Sequence, residues 1–310
     1  MTGKRAGVPD MLRPGLRIAG ALAWGVALAI VGVVAWRNRE TLVPYLAEAD
    51  WRQMGWACLL YLGALELAVI GWIAIIRSFA PGVSGWSHVR IYLATLAARR
   101  LPGTIWYVGG RLVLYKQLGV SGAAVSIASS VEFLVSLVSG TLVGLALLPV
   151  GLSLSGPVFA ASLVGALGGL LLLHPRVIGW TMRRLQRPLV GELTLAEVAV
   201  WLGIYLGVWL LGGMMLSRIV SAFRPLEVHE VWLSVGAWAL SGSAGLLTIF
   251  LPSTFGATEL TLTIFLSLLV PLPLAAAIAI FARILTTAFE IVVAIAVYFP
   301  LRHLRAGSPR

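Results

Sequence analysis

Apolar residues in this chain come in long blocks rather than in alternation with polar ones. Six blocks reach the roughly 20 residues that a bilayer-crossing helix needs: 18–36, 55–76, 121–148, 153–173, 196–217 and 274–299. The first follows Lys4, Arg5, Arg13 and Arg17, as a signal peptide would. It is too long for that role and ends in Trp36-Arg37-Asn38-Arg39 without a small-residue cleavage site, so it reads as a span. No segment holds a period of two for long, which argues against an outer-membrane barrel.

Two further apolar segments are broken in the middle. Residues 87–118 carry Leu101-Pro102-Gly103, and residues 231–270 carry Leu251-Pro252 with Gly256. Proline removes a backbone donor and clashes with the preceding helical turn. A break at membrane depth is tolerated where protein or a wet cavity surrounds it. The arginines decide how each segment runs. With the basic N-terminus inside, two spans bring the chain back inside at Arg77 and Arg90. If 87–118 enters and leaves on one side, the loop holding Arg176, Arg183, Arg184 and Arg187 also lies inside, as basic loops do. A single crossing would place that loop outside. The same parity, with 231–270 returning to the outer side, delivers Arg302, Arg305 and Arg310 inside.

The expected fold is therefore an all-α integral membrane protein, with six full transmembrane helices and two opposed re-entrant helical hairpins. It forms one polytopic domain over 1–310, with a basic cytoplasmic loop at 174–195 and a short cytoplasmic tail at 301–310. Span, hairpin, span recurs over 55–148 and 196–299 in opposite orientation. Aligning Pro102 on Pro252 places Glu132 on Ala282 and Phe133 on Arg283. Inverted repeats with broken helices are an architecture of alternating-access transporters.

Composition agrees with a multi-pass protein of a cell membrane, the inner or plasma membrane, with both termini cytoplasmic. The chain is 59% hydrophobic and 11% charged, where soluble proteins carry about a quarter charged residues. Its mean hydropathy is +0.96. The net charge of +11 suits anionic lipid next to the spans and gives no reason to expect nucleic acid. One cysteine, Cys58, forms no internal bridge, and His88, His174, His229 and His303 match no metal spacing. No metal, cofactor or nucleotide motif is expected.

Ionisable residues inside spans mark function or a structural pair. Glu132 lies deep in 121–148 with Ser129 and Ser136 at helical spacing. Arg283, Thr287 and Glu290 fall on one stripe of the last span. Glu259 follows the second break, and Glu66 lies in the second span. Glu132 and Arg283, neighbours by the repeat, are expected either to pair across the halves or to line a polar translocation path. The first break is flanked by Arg99, Arg100, Arg111 and Lys116, with Trp106 and Tyr107 between them. Guanidinium groups bind phosphate in bidentate fashion, so Arg99, Arg100, Trp106, Arg111 and Lys116 form a candidate head-group site. The plainer alternative is that the arginines snorkel to the interface.

LPGTIWYVGGRLVLYKQLGVS, the serine-rich span with Glu132, LPSTFGATE, and AAAIAIFARILTTAFE together resemble the lysylphosphatidylglycerol synthase transmembrane, or flippase-like, family over about 50–300. Glu132-Phe133 stands where the family often has Glu-Arg, and Thr258 where an arginine is frequent. The resemblance implies a lipid flippase moving an aminoacyl-phosphatidylglycerol or an isoprenoid-linked glycolipid between leaflets. It implies a stand-alone form without the soluble aminoacyltransferase domain of some relatives, and so no enzyme. Membrane lipids are the expected partners, beside a separate lipid-modifying enzyme or a second copy. The rival readings are a membrane-embedded enzyme acting on a lipid phosphate and a non-transporting membrane scaffold.

Overall fold

The computed structural model describes residue 36 and residues 39–96, 105–148, 156–184, 193–247 and 257–305. Among these residues every regular element is a helix: α1 (Arg39–Ala47), α2 (Trp51–Arg77), α3 (Gly85–Leu96), α4 (Ile105–Lys116), α5 (Gly122–Leu147), α6 (Gly156–Leu172), α7 (Pro175–Arg184), α8 (Leu195–Ser221), α9 (Val228–Leu247), α10 (Ala257–Leu266) and α11 (Leu272–Arg305). Four are long and apolar enough to cross a membrane: α2, α5, α8 and the Leu272–Ala294 part of α11. They match the blocks read at 55–76, 121–148, 196–217 and 274–299. The block at 18–36 apart from Trp36, together with Arg99, Arg100, Pro102, Gly103, Pro252, Gly256 and the turn at 149–153, lies outside the described residues.

Local chemistry sets the helix ends. Asp50 caps α2 by accepting from the Arg52 amide at 3.0 Å. Ser121 caps α5 through the Ala124 amide at 3.2 Å. Thr194 and Glu197 start α8 with a reciprocal capping box, which satisfies two amides that have no partner within the helix. The α4–α5 turn needs Gly119, whose φ is 78°. With Gly119 in the left-handed region, the Val120 amide reaches back to the Tyr115 carbonyl at 3.1 Å and closes the end of α4.

The block read as a full span at 153–173 is not among the four long helices; α6 and α7 together have the length and hydropathy of one broken span. α6 has 17 residues, and the chain then turns by 61° into α7. Pro175 is the cause: it has no amide to continue the α6 ladder, yet it suits the first position of a new helix. The His174 ring then caps that helix, Nδ1 accepting from the Arg176 amide at 3.2 Å. The segment read as a basic loop at 174–195 thus begins with a helix.

α2 and α8, each of 27 residues, run antiparallel along the centre. Gln53 meets Arg218 at one end, Gly63 faces Leu211, and Gly71 faces Ile204 and Tyr205 at the other. α3 and α4 form a hairpin. His88 near the start of α3 bonds Tyr115 near the end of α4 at 2.7 Å, and Gly110 packs against Thr95. Tyr115 also accepts from the Trp72 indole at 2.9 Å. The three side chains tie α2, α3 and α4 together. α9 and α10 form the second hairpin, with Gly245 against Thr258. The first hairpin opens where α2 ends and α8 begins; the second opens where α2 begins and α8 ends. At 12 residues, α3 is about 18 Å long, well short of a bilayer's hydrocarbon core.

The helix contacts recur between the two halves. α3 packs on α4 as α9 packs on α10, and α4 on α5 as α10 on α11. Across the halves, α9 packs on α5 and α3 on α11. The apolar core follows this division. One cluster, with Trp72, Tyr92, Val131 and Trp201, surrounds the first hairpin. Another, with Ala57, Met215, Leu262 and Ile278, surrounds the second. Exposed charge divides as well. The end where α2 finishes carries Arg77, Lys116, Arg176, Arg183 and Arg184 against Glu197, while the other end mixes Arg52, Arg218 and Arg224 with Asp50, Glu227 and Glu230.

Glycines let the central helices approach. A Cβ on Gly213 would lie 2.5 Å from the Val235 backbone of α9, whereas one on Gly203 meets nothing within 4 Å. Gly213→Ala should therefore cost about 1–3 kcal/mol by overpacking. Gly203→Ala should be neutral or stabilising by up to about 1 kcal/mol through helix propensity. Thermal unfolding of the two variants in detergent measures the contrast.

Candidate functional site

The hairpins bring charged side chains of the return helices, α4 and α10, against the spans that follow them. Arg111 lies on α4, more than one full turn before its end at Lys116, and faces inward. It is 0% exposed, and Glu132 on α5 is 6% exposed. Arg111 Nη1 donates to Glu132 Oε2 at 2.5 Å, and Nη2 lies 3.4 Å from Oε1. Tyr107, one turn before Arg111, donates its hydroxyl to Oε2. Tyr205 on α8 donates to Oε1 at 3.0 Å. Both carboxylate oxygens are thereby satisfied, as a buried charge requires.

The Arg111 guanidinium sits in an aromatic cage, 3.6 Å from the Trp72 ring, 4.0 Å from Tyr107 and 4.9 Å from Tyr92. Aromatic faces attract a cation most strongly where it is desolvated. α2, α3, α4, α5 and α8 all supply a group to this one pair. Gly110 explains the Gly109-Gly110 step beside it: a Cβ there would come within 3.1 Å of Thr95, so the arms of the hairpin meet at that residue.

The second half holds the reverse arrangement. The acid, Glu259, is on the return helix α10, and the base, Arg283, is on the following span α11. Arg283 Nε lies 3.3 Å from Glu259 Oε1, and the two side chains remain 22% and 18% exposed. The expected meeting of Glu132 with Arg283 is corrected: among the described residues each pairs within its own half. The reason is geometric. The return helix of a hairpin lies directly against the next span, so Arg111 and Glu259 reach their partners before any cross-half contact forms.

The buried carboxylates are also met across the halves by a pair of tyrosines. Tyr205 of α8 donates to Glu132, and Tyr61 of α2 donates to Glu290 Oε1 of α11 at 2.5 Å. Phe289 packs edge-on against Tyr61, with centroids 5.7 Å apart. Neither tyrosine stands out in the sequence alone. The available signal was that both hold the same place in helices of equal length.

The remaining candidates separate. Ser129, Thr287 and Glu290 are buried, so the stripe from Arg283 to Glu290 does face inward. Lys116 is exposed at the end of α4, away from the buried Arg111. Arg111 is fully buried within its ring cage and paired with Glu132, so it is closed to a lipid phosphate in this conformation. Trp106 lies in α4. Glu66 is exposed on the outer face of α2, in line with the exposed Leu59, Leu62 and Ile70. No group of three or more metal-binding side chains occurs among the described residues.

Removing one partner of a buried pair leaves an uncompensated charge, whereas removing both often costs little. Arg111→Met alone should destabilise by about 3–5 kcal/mol. Adding Glu132→Gln should recover most of that loss. Thermal unfolding of the single and double variants in detergent checks the coupling, and equal losses would refute it.

No family model matches this chain and no curated protein matches it, so the site is read from its own residues.

Proposed function

We propose that this chain is a multi-pass membrane carrier that moves a polar-headed lipid between leaflets. The observation that carries this reading is the part-exposed Glu259–Arg283 pair, held between α10 and α11 at the second hairpin. An ionisable pair in a span that keeps some access is a functional site by default. In this reading both hairpins are re-entrant and the halves form an inverted repeat. The contact pattern that recurs from α2–α5 to α8–α11 supports it. The basic end bearing Arg77, Lys116 and Arg176 is assigned to the cytoplasm by the positive-inside rule. The resemblance to the flippase-like family points to the same class of substrate, an aminoacylated phospholipid or an isoprenoid-linked glycolipid.

The two charge pairs take different roles. Arg111 and Glu132, sealed by aromatics, hold the first hairpin. Glu259 and Arg283 contact the head group: Arg283 takes the lipid phosphate, and Glu259 releases it by reclaiming Arg283. A head group that inserts between them exchanges one ion pair for another, so the charge is never left bare.

A leaflet-resolved assay in proteoliposomes, with the lipid classes named above, tests this reading. Glu259→Gln with Arg283→Met should leave the protein monodisperse, because the pair is part-exposed and contributes on the order of 1 kcal/mol. Lipid movement should fall at least about tenfold, the effect of losing roughly 1.4 kcal/mol of transition-state stabilisation. A stable double variant with full activity would exclude the pair from the mechanism. A wild-type chain that moves none of these lipids would favour a scaffold.

A further inference from the structure

The outward face of α7 is built largely from arginine and tryptophan. Arg176, Val177, Trp180, Arg183 and Arg184 are all exposed, while Ile178 and Gly179 are buried. At about 100° per residue, the exposed set occupies roughly one third of the helix circumference. The buried side is anchored: Ile178 and Leu173 belong to the core cluster around the first hairpin. The 61° bend after α6 turns this helix away from the line of the preceding apolar segment. His174 and Pro175 fix the bend locally, so the orientation is built into the chain. The Arg184 guanidinium lies 5.4 Å from the Trp180 ring centroid, which holds the two side chains on one face.

We infer that α7 is a docking surface for the anionic head groups of the leaflet at the basic end of the molecule. Three guanidinium groups on one face complement lipid phosphates, and Arg forks suit phosphate geometry better than an ammonium does. A tryptophan among them favours the plane between head groups and acyl chains. No acid lies on that face: the α7 sequence, Pro175 to Arg184, contains no aspartate or glutamate. Arg77 and Lys116, exposed at the same end, extend the positive field. The partner is the lipid surface itself, held as a surface ligand rather than transported, and the inference stands whether or not the chain moves lipids.

Native mass spectrometry of the full-length chain in detergent, titrated with short-chain phosphatidylglycerol or phosphatidylcholine, provides the test. Wild type should bind phosphatidylglycerol more tightly than phosphatidylcholine. Arg176→Gln, Arg183→Gln and Arg184→Gln together should remove that preference, at roughly fivefold in affinity per arginine. The corresponding triple lysine variant, which keeps the charge, should retain most of it. The single variant Arg184→Gln, the mildest change, should show the fivefold step by itself. Equal binding of the two lipids by wild type, or an undiminished preference in the glutamine variants, would overturn the inference. Loss of lipid movement with an intact phosphatidylglycerol preference would bear on transport alone.

Discussion

A charge in the interior of a membrane-spanning bundle has to be met by the protein, because neither lipid nor bulk water can solvate it. Arg111 and Glu132 show what that constraint demands. Five helices converge to satisfy one ion pair. Tyr107 and Tyr205 complete the carboxylate, while Trp72, Tyr92 and Tyr107 enclose the guanidinium. The close approach at Gly110 and the inward aspect of α4 both serve this arrangement. Replacing the pair with apolar residues could stabilise the fold, so the pair does more for the choice of structure than for its depth. Register shifts of α4 against α5 would leave both charges bare.

The second half uses the same parts with the charges exchanged and the seal loosened. There the acid sits on the short return helix and the base on the long span. About a fifth of each side chain remains accessible. One half thus holds a closed pair and the other an accessible one. Glu290 and Tyr61 then link the accessible half to the central α2–α8 pair.

The sequence displays the four long helices plainly, because blocks such as 55–76 and 196–217 have the length and hydropathy of spans. The packing of α3 on α4 and of α9 on α10 agrees with the two broken segments read at 87–118 and 231–270. The partner of each charge is not legible. Aligning Pro102 on Pro252 identifies equivalent positions, but equivalence under a pseudo-two-fold says nothing about which helix faces touch. Arg111 and Lys116 look alike as basic residues on one segment, yet α4 turns one inward and leaves the other at its exposed end. The break after α6 was legible in principle from Pro175. The continuous hydropathy of 153–173 hides it, since a span and a bent helix have the same composition.

The tyrosine bonds to Glu132 and Glu290 link residues 73 and 229 positions apart in the chain. Synthesis is sequential, so Glu132 enters the bilayer well before Tyr205 has been made. Tyr61 waits until nearly the whole chain is complete before Glu290 appears. Until Tyr205 is made, Glu132 is met by Arg111 and Tyr107, contacts within its own half. That ordering gives the local pair a second use, as a temporary neutraliser.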